Sequence, residues 1–573
     1  MEPTENTMTS WDGAELFYRA WLPASRTERA LLLFHRGHEH SGRWQEMVDA
    51  LALEDVAVFA WDARGHGRSP GQRGAANNFA DVIRDVDAFA RHISEQHHIP
   101  FENMIVLAHS LAAVSVVAWV HDYAPPVRAM ILATAAFRVR LYVPFAIPLL
   151  RLKQRLFGRG EVKSYVKANL LTRDRSQAAQ YNADPLIFRQ IAVNVLLDLN
   201  DTAERLVADA GAVQTPTLMI GAGRDWVVSL DRQREFFDQL SSPLKEFEIY
   251  PGAYHAIFHD QDRHLVISRV RKFIQDRFTE SVVRFSLLNA DQIGYTRNEY
   301  ERLKATGGMK FGLARAGLRT AGRLSRGVAI GWRSGFDSGL SLDYVYENRP
   351  RGLLGVGRLI DKSYLNSIGW RGIRERKANL KKALHRAIEK LGDEDRPIRI
   401  LDIASGAGRY VLETMHELPA IPITARLRDD KLENIEAARA LADEFGFKNV
   451  IAEQGDAFDR GSFAAITPQA TIGIVSGLYE LFPENDGVLT SLRGLAQAIE
   501  PGGFLIYTNQ PWHPQIAFIA RVLRNRDGQP WIMRRRTTGE IDELVRVVGF
   551  RKITMAVDQW GMFTVSLARR AGF

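Results

Sequence analysis

The sequence contains no cysteine, which excludes disulfide bridges, thiolate nucleophiles and cysteine-ligated metal sites. It also lacks any apolar run of the roughly 18 residues that a membrane-spanning helix requires. Residues 1–11 are polar and mildly acidic, so no secretory signal is predicted there. These absences together predict an intracellular, cytoplasmic protein, with a peripheral position on the inner membrane as the alternative.

A length of 573 residues exceeds what one hydrophobic core supports, so two or more domains are expected.

Charge is unevenly distributed along the chain. The net charge is +8, yet residues 302–382 alone hold 18 lysines and arginines against 5 aspartates and glutamates, a local excess of 13. The sequence therefore predicts one basic segment within a chain that is otherwise slightly acidic.

Short apolar runs alternate with helical segments through the first half of the chain. Apolar strands that alternate with helices predict a mostly parallel sheet with helices on both faces. In such a sheet the loops that follow the strands carry the chemistry. The predicted strands are 16–21, 30–34, 56–61, 104–107, 129–133, 217–220 and 245–250.

A serine follows the fourth of these strands. Residues 106–112 predict a strand, a tight turn that holds Ser110, and a helix, which is the pattern of a nucleophile elbow. Small residues are needed two positions before and after the serine, because strand and helix approach closely there. Glycine is usual at both positions, whereas this sequence has Ala108 and Ala112.

Asp225 and His255 follow later strands, in the chain order serine, aspartate, histidine that α/β-hydrolases use. We predict that His255 takes the proton of Ser110 and later gives it to the leaving group. Asp225 is predicted to orient the imidazole and to stabilise its positive form. The N–H groups of Gly37 and Leu111 are predicted to form the oxyanion hole.

The loop that carries Gly37 also holds three histidines, His35, His38 and His40. A metal site is the alternative interpretation of this loop. No carboxylate pattern accompanies the histidines, so no metal is predicted.

Residues from about 10 to 275 resemble the monoacylglycerol lipase and lysophospholipase group of α/β-hydrolases, which is related to the S33 serine aminopeptidases. The matching stretches are 39–43, 65–69, 109–110 and 252–255, together with Asp225. The resemblance implies an α/β-hydrolase domain over 1–278 that hydrolyses the carboxylic ester of a monoacyl, lipid-like substrate. Arg36 departs from the family's glycine, as Ala108 and Ala112 do, and each adds bulk beside the site.

Two alternatives to a lipid hydrolase remain open. The first, which rests on these departures, is a degenerate hydrolase used for binding or scaffolding. The second, which rests on the relatives of this hydrolase group, is an esterase or peptidase for small molecules. Residues of about 137–209 predict a helical cap, and its segment 141–155 joins an apolar run to three basic residues. Such a surface suits contact with an anionic lipid membrane, and packing against the main domain is the alternative.

The middle of the chain, 279–395, shows no strand alternation and predicts a basic helical connector or an N-terminal extension of the next domain. Arg315, Arg319, Arg323 and Arg326 recur at helical spacing with leucines between them. One interpretation is a basic amphipathic helix, so that the 302–382 segment contacts an anionic membrane. A solvated basic face is the other, and without a recognised motif no nucleic acid is expected as a partner.

A second α/β domain is predicted over 396–573. A strand at 398–403 leads into a glycine-bearing turn and then a helix from Arg409. The spacing Asp-x-x-x-Gly-x-Gly resembles motif I of class I S-adenosylmethionine-dependent methyltransferases, which have a Rossmann-like fold. By this resemblance the cofactor is S-adenosylmethionine, and the residues expected to hold its methionine part are Asp402, Ala404, Ser405, Gly406 and Gly408.

Later strand ends supply further candidate residues. Asp429, which lies 23 positions after Gly406, is expected to accept the ribose hydroxyls. Asp456 and the adjacent Ala457 end the third strand, where the carboxylate can meet the adenine amine. The remaining candidates are Ser476 beside the cofactor, and Tyr479 and His513 beside the methyl acceptor.

The sequence thus predicts a bifunctional enzyme, a serine ester hydrolase joined to a methyltransferase, with a lipid or acyl-ester substrate and a role in bacterial lipid metabolism. It does not predict an oligomeric state.

Overall fold

The computed structural model describes residues 2–158, 160–281, 285–305 and 307–572. The chain forms two compact units, Met1–Arg284 and Phe285–Phe573. From residue 285 onward, the helical segment predicted between the domains belongs to the second unit, as an extension that precedes its sheet.

Ten strands lie within the described residues of the first unit. They are β1 (Thr4–Thr9), β2 (Glu15–Trp21), β3 (Ala30–Phe34), β4 (Ala57–Trp61), β5 (Met104–His109), β6 (Ala129–Ala133), β7 (Glu161–Lys163), β8 (Gln190–Ala192), β9 (Thr217–Ala222) and β10 (Lys245–Tyr250). Eight of them form a sheet in the order β1-β2-β4-β3-β5-β6-β9-β10, and β7 pairs with β8. β2 is antiparallel to both neighbours, and the remaining pairs of the large sheet are parallel.

In the same described ranges, nine α-helices accompany these strands. They are α1 (Gln45–Leu51), α2 (Phe79–His97), α3 (Leu111–Tyr123), α4 (Ala146–Phe157), α5 (Ala168–Leu171), α6 (Arg175–Ala183), α7 (Val193–Ala208), α8 (Leu230–Gln239) and α9 (Arg263–Thr279). The strand order and the parallel centre are those of the α/β-hydrolase fold, and α4 to α7 are inserted between β6 and β9 as the predicted helical cap.

The apolar runs form strands because helices cover both faces of the sheet. Every residue of β3, β4, β5 and β6 is buried, as expected of continuous apolar strands in a parallel sheet. All seven predicted strands are present, with bounds that differ by two residues at most. β1 was not predicted, because it lies at the sheet edge and its mostly exposed side chains carry no apolar signal.

A buried ionic cluster joins the helix that follows Ser110 to the end of the cap. His121 on α3 is hydrogen-bonded to Asp122 and to Asp209, each at 2.7 Å, and Arg205 on α7 donates twice to Asp122. Burial alone would lower the pKa of the His121 imidazole, but its two carboxylate partners outweigh burial and raise that pKa above the usual value. The cluster therefore holds a charged imidazole between two carboxylates.

Replacement of His121 by leucine is expected to destabilise the first unit by about 3 kcal/mol at acidic pH, because two buried carboxylates lose a cation. A histidine whose pKa is higher in the folded state than in the unfolded state stabilises the fold below its unfolded pKa of about 6.5. This stabilisation is lost as pH rises through the folded pKa. The loss in the free energy of unfolding, measured in urea, should therefore shrink as pH rises above about 6.5 and through the raised folded pKa of His121. Leucine at exposed His264 is the control, and a loss that does not vary with pH would contradict the charged imidazole.

The second unit is built on a seven-stranded sheet. Its strands are β11 (Ile398–Ile403), β12 (Ile423–Asp429), β13 (Val450–Gln454), β14 (Ala470–Val475), β15 (Ile499–Asn509), β16 (Phe550–Val557) and β17 (Thr564–Arg570). The order is β13-β12-β11-β14-β15-β17-β16, with β17 antiparallel to both neighbours and the other pairs parallel. This is the Rossmann-like fold of class I methyltransferases. The hairpin of β16 and β17 was not predicted, because basic residues interrupt its apolar pattern.

Twelve α-helices are found in the part of this unit that the structure describes. They are α10 (Tyr295–Lys304), α11 (Met309–Thr320), α12 (Arg326–Ser334), α13 (Gly339–Glu347), α14 (Leu354–Leu365), α15 (Ile368–Asp393), α16 (Arg409–Glu417), α17 (Leu432–Glu444), α18 (Arg460–Ala464), α19 (Asn485–Ala498), α20 (Ile516–Val522) and α21 (Thr538–Val547). Within the described ranges, no helix combines the length and the apolarity needed to cross a lipid bilayer.

The predicted helix that spans Arg315 to Arg326 is not continuous. α11 ends at Thr320, a short 3-10 turn follows, and α12 begins at Arg326. Gly322 stands in that turn, where a Cβ atom would lie only 2.8 Å from Cγ1 of Val328. The chain bends there so that α12 packs back on the turn, which corrects the prediction of one basic helix.

Candidate active sites

Ser110 stands in a strained turn between β5 and α3. Its φ of 60° and ψ of −116° lie outside the regions that residues other than glycine usually adopt, and its N–H donates to the carbonyl of Ala133 at 2.9 Å. Ala108 and Ala112 are both buried, and neither has a positive φ. The strand–turn–helix geometry is therefore formed with alanine at both positions where glycine is usual.

The structure brings Ser110, His255 and Asp225 into one hydrogen-bonded line. Ser110 Oγ donates to His255 Nε2 at 2.9 Å, and His255 Nδ1 donates to Asp225 Oδ2 at 2.8 Å. The other oxygen of Asp225 accepts the N–H groups of Val227 and Val228, which fixes the carboxylate. Because an ionised carboxylate only accepts, it selects the tautomer with the proton on Nδ1 and leaves Nε2 open to the serine proton.

A second histidine, which was not predicted, holds the backbone of His255. His109 Nε2 donates to the His255 carbonyl at 3.0 Å, and Thr134 Oγ1 donates to the same oxygen at 3.2 Å. Burial lowers the pKa of His109 well below its usual value, so the ring is a neutral donor. His109 precedes Ser110 directly, so one short segment supplies both the serine and a brace for its histidine partner.

Gly37 and Leu111, the residues of the predicted oxyanion hole, lie close to each other. A Cβ atom placed on Gly37 would be 3.8 Å from Cδ1 of Leu111. Among the described residues, neither N–H has a hydrogen-bond partner, and the N–H of Leu111 is the first of α3. Two free N–H groups near the serine, one of them at a helix N-terminus, suit a developing negative charge.

Arg36 is accommodated by partners in its own loop and in the cap. Its guanidinium donates to Glu39 Oε1 at 2.7 Å and lies 5.0 Å from the ring centroid of Tyr181 on α6. Burial would raise the pKa of Glu39, but the nearby cations, Arg36 foremost, hold that pKa well below its usual value. The bulk expected from Arg36 is thus taken up by an ion pair and an aromatic contact.

Two of the three loop histidines, His35 and His40, have polar partners within the protein. His35 Nε2 accepts the N–H of Ala63 at 3.0 Å, and His40 Nε2 is 2.8 Å from Asp184 Oδ2. Within the part of the chain that the structure describes, no group of three or more histidine, aspartate and glutamate side chains is placed to hold a metal ion.

A cavity of about 630 Å³ lies between the cap and the loop that follows β6. Its apolar wall includes Phe137, Leu141, Ile147 and Leu196, which come from that loop, α4 and α7. Ala136 also lines it and donates its N–H to the carbonyl of Ser110 at 3.1 Å. One residue of the cavity wall is therefore hydrogen-bonded to the turn that holds Ser110, whereas Ser110 and His255 themselves do not line the cavity.

In the second unit, the turn after β11 is built on positive φ angles. Ala404, Gly406 and Gly408 have φ values of 51°, 57° and 62°. A Cβ atom on Gly408 would lie 2.5 Å from Cδ1 of Leu427, so this glycine permits close packing of the turn on β12. A Cβ atom on Gly406 would meet nothing within 4 Å, so Gly406 leaves its backbone open to a ligand.

Asp429 ends β12 and links the end of this strand to the turn that follows β11. Its Oδ2 accepts the N–H of Gly406 at 2.9 Å, and its Oδ1 accepts from the Lys431 N–H and from Asn434 Nδ2. A carboxylate oxygen can accept more than one hydrogen bond, so capacity remains for a ligand hydroxyl.

A second cavity, also of about 630 Å³, opens at the carboxyl ends of these strands. Eight of the nine residues predicted to bind the cofactor line it, namely Ala404, Ser405, Gly406, Gly408, Asp429, Asp456, Ala457 and Ser476. The exception is Asp402, which is fully buried beneath the turn and accepts from Tyr410 Oη at 2.7 Å. Burial raises the pKa of Asp402 well above its usual range, so its role is to hold α16 rather than to face a ligand.

Tyr479 and His513, predicted beside the methyl acceptor, do not line this cavity. Tyr479 lies in a 3-10 turn after β14, and its buried hydroxyl donates to Ser491 Oγ at 3.1 Å. His513 is buried, its Nδ1 accepts the N–H of Gln515, and burial lowers its pKa to about 4. These contacts correct the acceptor-side prediction.

The wall opposite the glycine turn comes from parts of the chain that carry no motif. Tyr346 on α13 lines it, as does Trp531 in the segment after α20. Asp343, on the same helix as Tyr346, accepts from Arg409 at the start of α16, so an ion pair anchors α13 over the turn. No sequence signal marked these residues, because they meet only in the folded unit.

Two protein families match consecutive parts of the chain. Residues 25–262 match the family described as "Serine aminopeptidase, S33", and residues 270–570 match the family described as "Putative methyltransferase". The protein YnbC of Escherichia coli (strain K12), described as uncharacterized, is 46% identical over 580 residues, which cover 99% of this chain and 98% of YnbC.

Further relatives match the first unit alone. The monoacylglycerol lipase of Mycolicibacterium smegmatis is 25% identical over 275 residues, which cover 47% of this chain and 96% of that protein. The crystal structure of Paleococcus ferrophilus monoacylglycerol lipase aligns with a TM-score of 0.41 and 21% identity, covering 48% of this chain and 100% of that one.

The methyltransferase family spans more than half of the chain, and YnbC aligns along nearly all of it. The chain therefore belongs to the family described as "Putative methyltransferase", in a form that places an α/β-hydrolase unit before the methyltransferase unit.

Proposed function

We propose that the chain is a bifunctional enzyme of lipid metabolism. Its first unit hydrolyses the carboxylic ester of a monoacyl, lipid-like substrate, and its second unit transfers a methyl group from S-adenosylmethionine. The observation that carries the proposal is the hydrogen-bonded line from Ser110 through His255 to Asp225, next to two free N–H groups.

The geometry supports acyl transfer through a covalent intermediate. Ser110 Oγ attacks the ester carbonyl carbon while His255 Nε2 takes its proton, and the carbonyl oxygen becomes an oxyanion that the N–H groups of Gly37 and Leu111 receive. His255 then protonates the leaving alcohol oxygen, the ester bond breaks, and an acyl-serine remains. His255 then takes a proton from a water molecule whose oxygen attacks the acyl carbon. The bond between the acyl carbon and Ser110 Oγ breaks, Oγ takes the proton back from His255, and the acid leaves, while Asp225 stabilises the positive imidazole.

The first cavity supports an acyl chain as the substrate's apolar part. Its wall carries Phe137, Leu141 and Leu196, and burial of methylene groups there contributes about 0.8 kcal/mol each. The Mycolicibacterium smegmatis and human relatives are named monoacylglycerol lipase and monoglyceride lipase, which agrees with a monoacyl ester.

The residues of the second cavity fit S-adenosylmethionine. Gly406 leaves open space for close approach, and Asp429 and Asp456 present carboxylates at two neighbouring strand ends, where hydroxyl and amine groups can donate to them. When bound, this cofactor supplies an electrophilic methyl group on its sulfonium. The residues of the chain bind and orient, and α13 with the segment around Trp531 excludes water from the reacting end.

The substrate class is tested with three substrates: a monoacylglycerol, a lysophospholipid and an aminoacyl amide. We expect the highest kcat/KM for the monoacylglycerol, because the apolar side chains of the first cavity would then hold its chain in the transition state. Faster turnover of the aminoacyl amide would favour the peptidase alternative. Calorimetry with S-adenosylmethionine tests the second unit, and absence of binding by the parent protein would remove the methyltransferase half of the proposal.

Peripheral contact with an anionic membrane is part of the proposal. In the first unit, α4 exposes Leu149, Leu152 and Leu156 next to Arg151 and Lys153. In the second unit, the exposed apolar residues of α11 and the α14 region lie among the basic residues of the 302–382 segment, namely Met309, Leu313, Leu353, Val356 and Leu359. Apolar side chains among cations suit insertion between anionic headgroups.

Binding to vesicles that contain phosphatidylserine is expected to weaken as salt rises, since each lysine or arginine near the surface contributes about 1 kcal/mol at low ionic strength. Leu313→Asp combined with Val356→Asp should lower vesicle binding in a sedimentation assay, because it places charge among the apolar side chains. Leu432→Asp, at an exposed leucine of α17, is the control. Binding that neither salt nor the double variant changes would refute the membrane part.

A further inference from the structure

Arg376 on α15 is a buried cation in the wall of the second cavity. Its relative exposure is 3%, and its guanidinium carbon lies 5.2 Å from the ring centroid of Phe563. A Cβ atom on Gly477 would be 3.0 Å from Nη2 of Arg376, so the glycine in the loop after β14 leaves room for the guanidinium. The fold thus places a full positive charge next to the strand end that also carries Ser476.

The guanidinium has no adequate partner in the protein. Among the described residues, its side chain donates no hydrogen bond, and its Nε is buried without an acceptor. Glu480 Oε1 lies 3.5 Å from Nη1, which is long for a charge-assisted hydrogen bond. A guanidinium offers five N–H donors, and leaving them unpaired in a buried position is costly.

A neighbouring buried arginine, Arg536, provides a comparison. Arg536, equally buried, donates to Asn485 Oδ1 and to the carbonyls of Tyr479 and Phe482. Its donors are therefore satisfied within the protein. Arg376 differs because it lines a cavity and, among the described residues, its guanidinium donates no hydrogen bond within the protein.

The position of Arg376 indicates which ligand group its donors meet. It lines the same cavity as the 404–408 turn, and its charge acts on Tyr410, the second residue of α16. This is the end of the cavity at which the methionine part of the cofactor is expected. A planar guanidinium matches a carboxylate through two parallel hydrogen bonds.

We propose that Arg376 binds the carboxylate of the methionine part of S-adenosylmethionine. The inference rests on the proposed methyltransferase function and adds a cofactor contact from α15, which lies outside the glycine-turn motif. A carboxylate on the methyl acceptor is the other source of the same chemistry, and the experiment separates the two.

The experiment compares S-adenosylmethionine with decarboxylated S-adenosylmethionine, which keeps the amino group and lacks only the carboxylate. Calorimetry on the full chain should show that the parent protein prefers the complete cofactor by on the order of 10- to 100-fold, as expected of hydrogen bonds to a charged group. Arg376→Met should abolish this preference by weakening only the complete cofactor. Arg376→Lys should restore part of it, because lysine keeps the charge without the planar fork.

Each other outcome overturns the proposal in a recognisable way. Equal weakening of both compounds in Arg376→Met, with a lower melting temperature, would assign a structural role to the arginine. An unchanged affinity for S-adenosylmethionine would assign the guanidinium to a carboxylate of the acceptor. If the parent protein binds neither compound, the methyltransferase function fails together with this inference.

Glu480→Gln is the matched control. If Arg376 served only to neutralise Glu480, the glutamine variant would weaken S-adenosylmethionine as much as Arg376→Met does. We expect equal or tighter binding instead, because the variant removes a carboxylate that competes for the guanidinium. Loss of affinity equal to that of Arg376→Met would contradict the proposal.

Discussion

Ser110→Ala is expected to lower kcat for ester hydrolysis by about 10⁶-fold and to abolish covalent labelling by a fluorophosphonate. The reason is that Ser110 Oγ is the atom aligned with His255 Nε2, at 2.9 Å, and no acyl-enzyme forms without it. Labelling of the parent protein and of the variant, each followed on a gel and by hydrolysis of a chromogenic ester, measures both effects. The alanine removes one buried hydroxyl, so melting temperatures should match closely.

Asp225→Asn changes another member of the Ser110–His255–Asp225 group and is expected to reduce kcat less than Ser110→Ala does. It should lower kcat by about 10⁴-fold, because an amide no longer selects the imidazole tautomer that leaves Nε2 open. Labelling should persist at a reduced rate, since Ser110 remains. A folded parent protein that is never labelled would favour the scaffold alternative, and labelling of Ser110→Ala would point to another nucleophile.

Gly406→Val is expected to lower the affinity for S-adenosylmethionine by on the order of 100-fold or more, which corresponds to about 2.7 kcal/mol. Gly406 has a φ of 57°, which a β-branched residue adopts only with strain, and its Cβ would project into space that is otherwise open. The valine would therefore occupy the place of the ligand and strain the turn. Calorimetry with the cofactor measures the change.

Gly446→Val is the control for Gly406→Val. It introduces the same backbone strain without placing a side chain in the second cavity. Gly446 has a φ of 76°, its Cβ would also meet nothing within 4 Å, and it does not line the second cavity. It should therefore lower stability as much as Gly406→Val and leave cofactor affinity unchanged. If both valine variants weaken binding equally, the loss reflects global strain and the turn has no special role.

Local patterns in the sequence predicted the strands and the turns that hold the first-unit site. A buried parallel strand is a continuous apolar run, and the turn after β5 needs Ser110 between small residues. Such signals lie within about ten residues, so they can be recognised without knowledge of the fold. Ser110, Asp225 and His255 are far apart in the sequence. Their order along the chain, together with the resemblance to a family, predicted that they form one site.

The sequence could not predict contacts made between distant segments. Tyr479 follows a strand end, as a ligand-facing residue would, yet the 3-10 turn directs its hydroxyl to Ser491. In the sequence, Arg376 is one of several basic residues of an amphipathic helix. Only the fold shows that it lines the second cavity. In both cases the direction of a side chain depends on packing rather than on local spacing.

The ionic cluster around His121 also bears on how the first unit folds. His121 and Asp209 are 88 residues apart in sequence, and the whole cap lies between them. Contacts of such separation form late, because closing a long loop costs entropy before any contact compensates for it. The helix that starts beside Ser110 therefore receives its final ionic partner only once the cap is in place. A cap transplanted from another hydrolase would need its own arginine and aspartate at these positions to complete that helix.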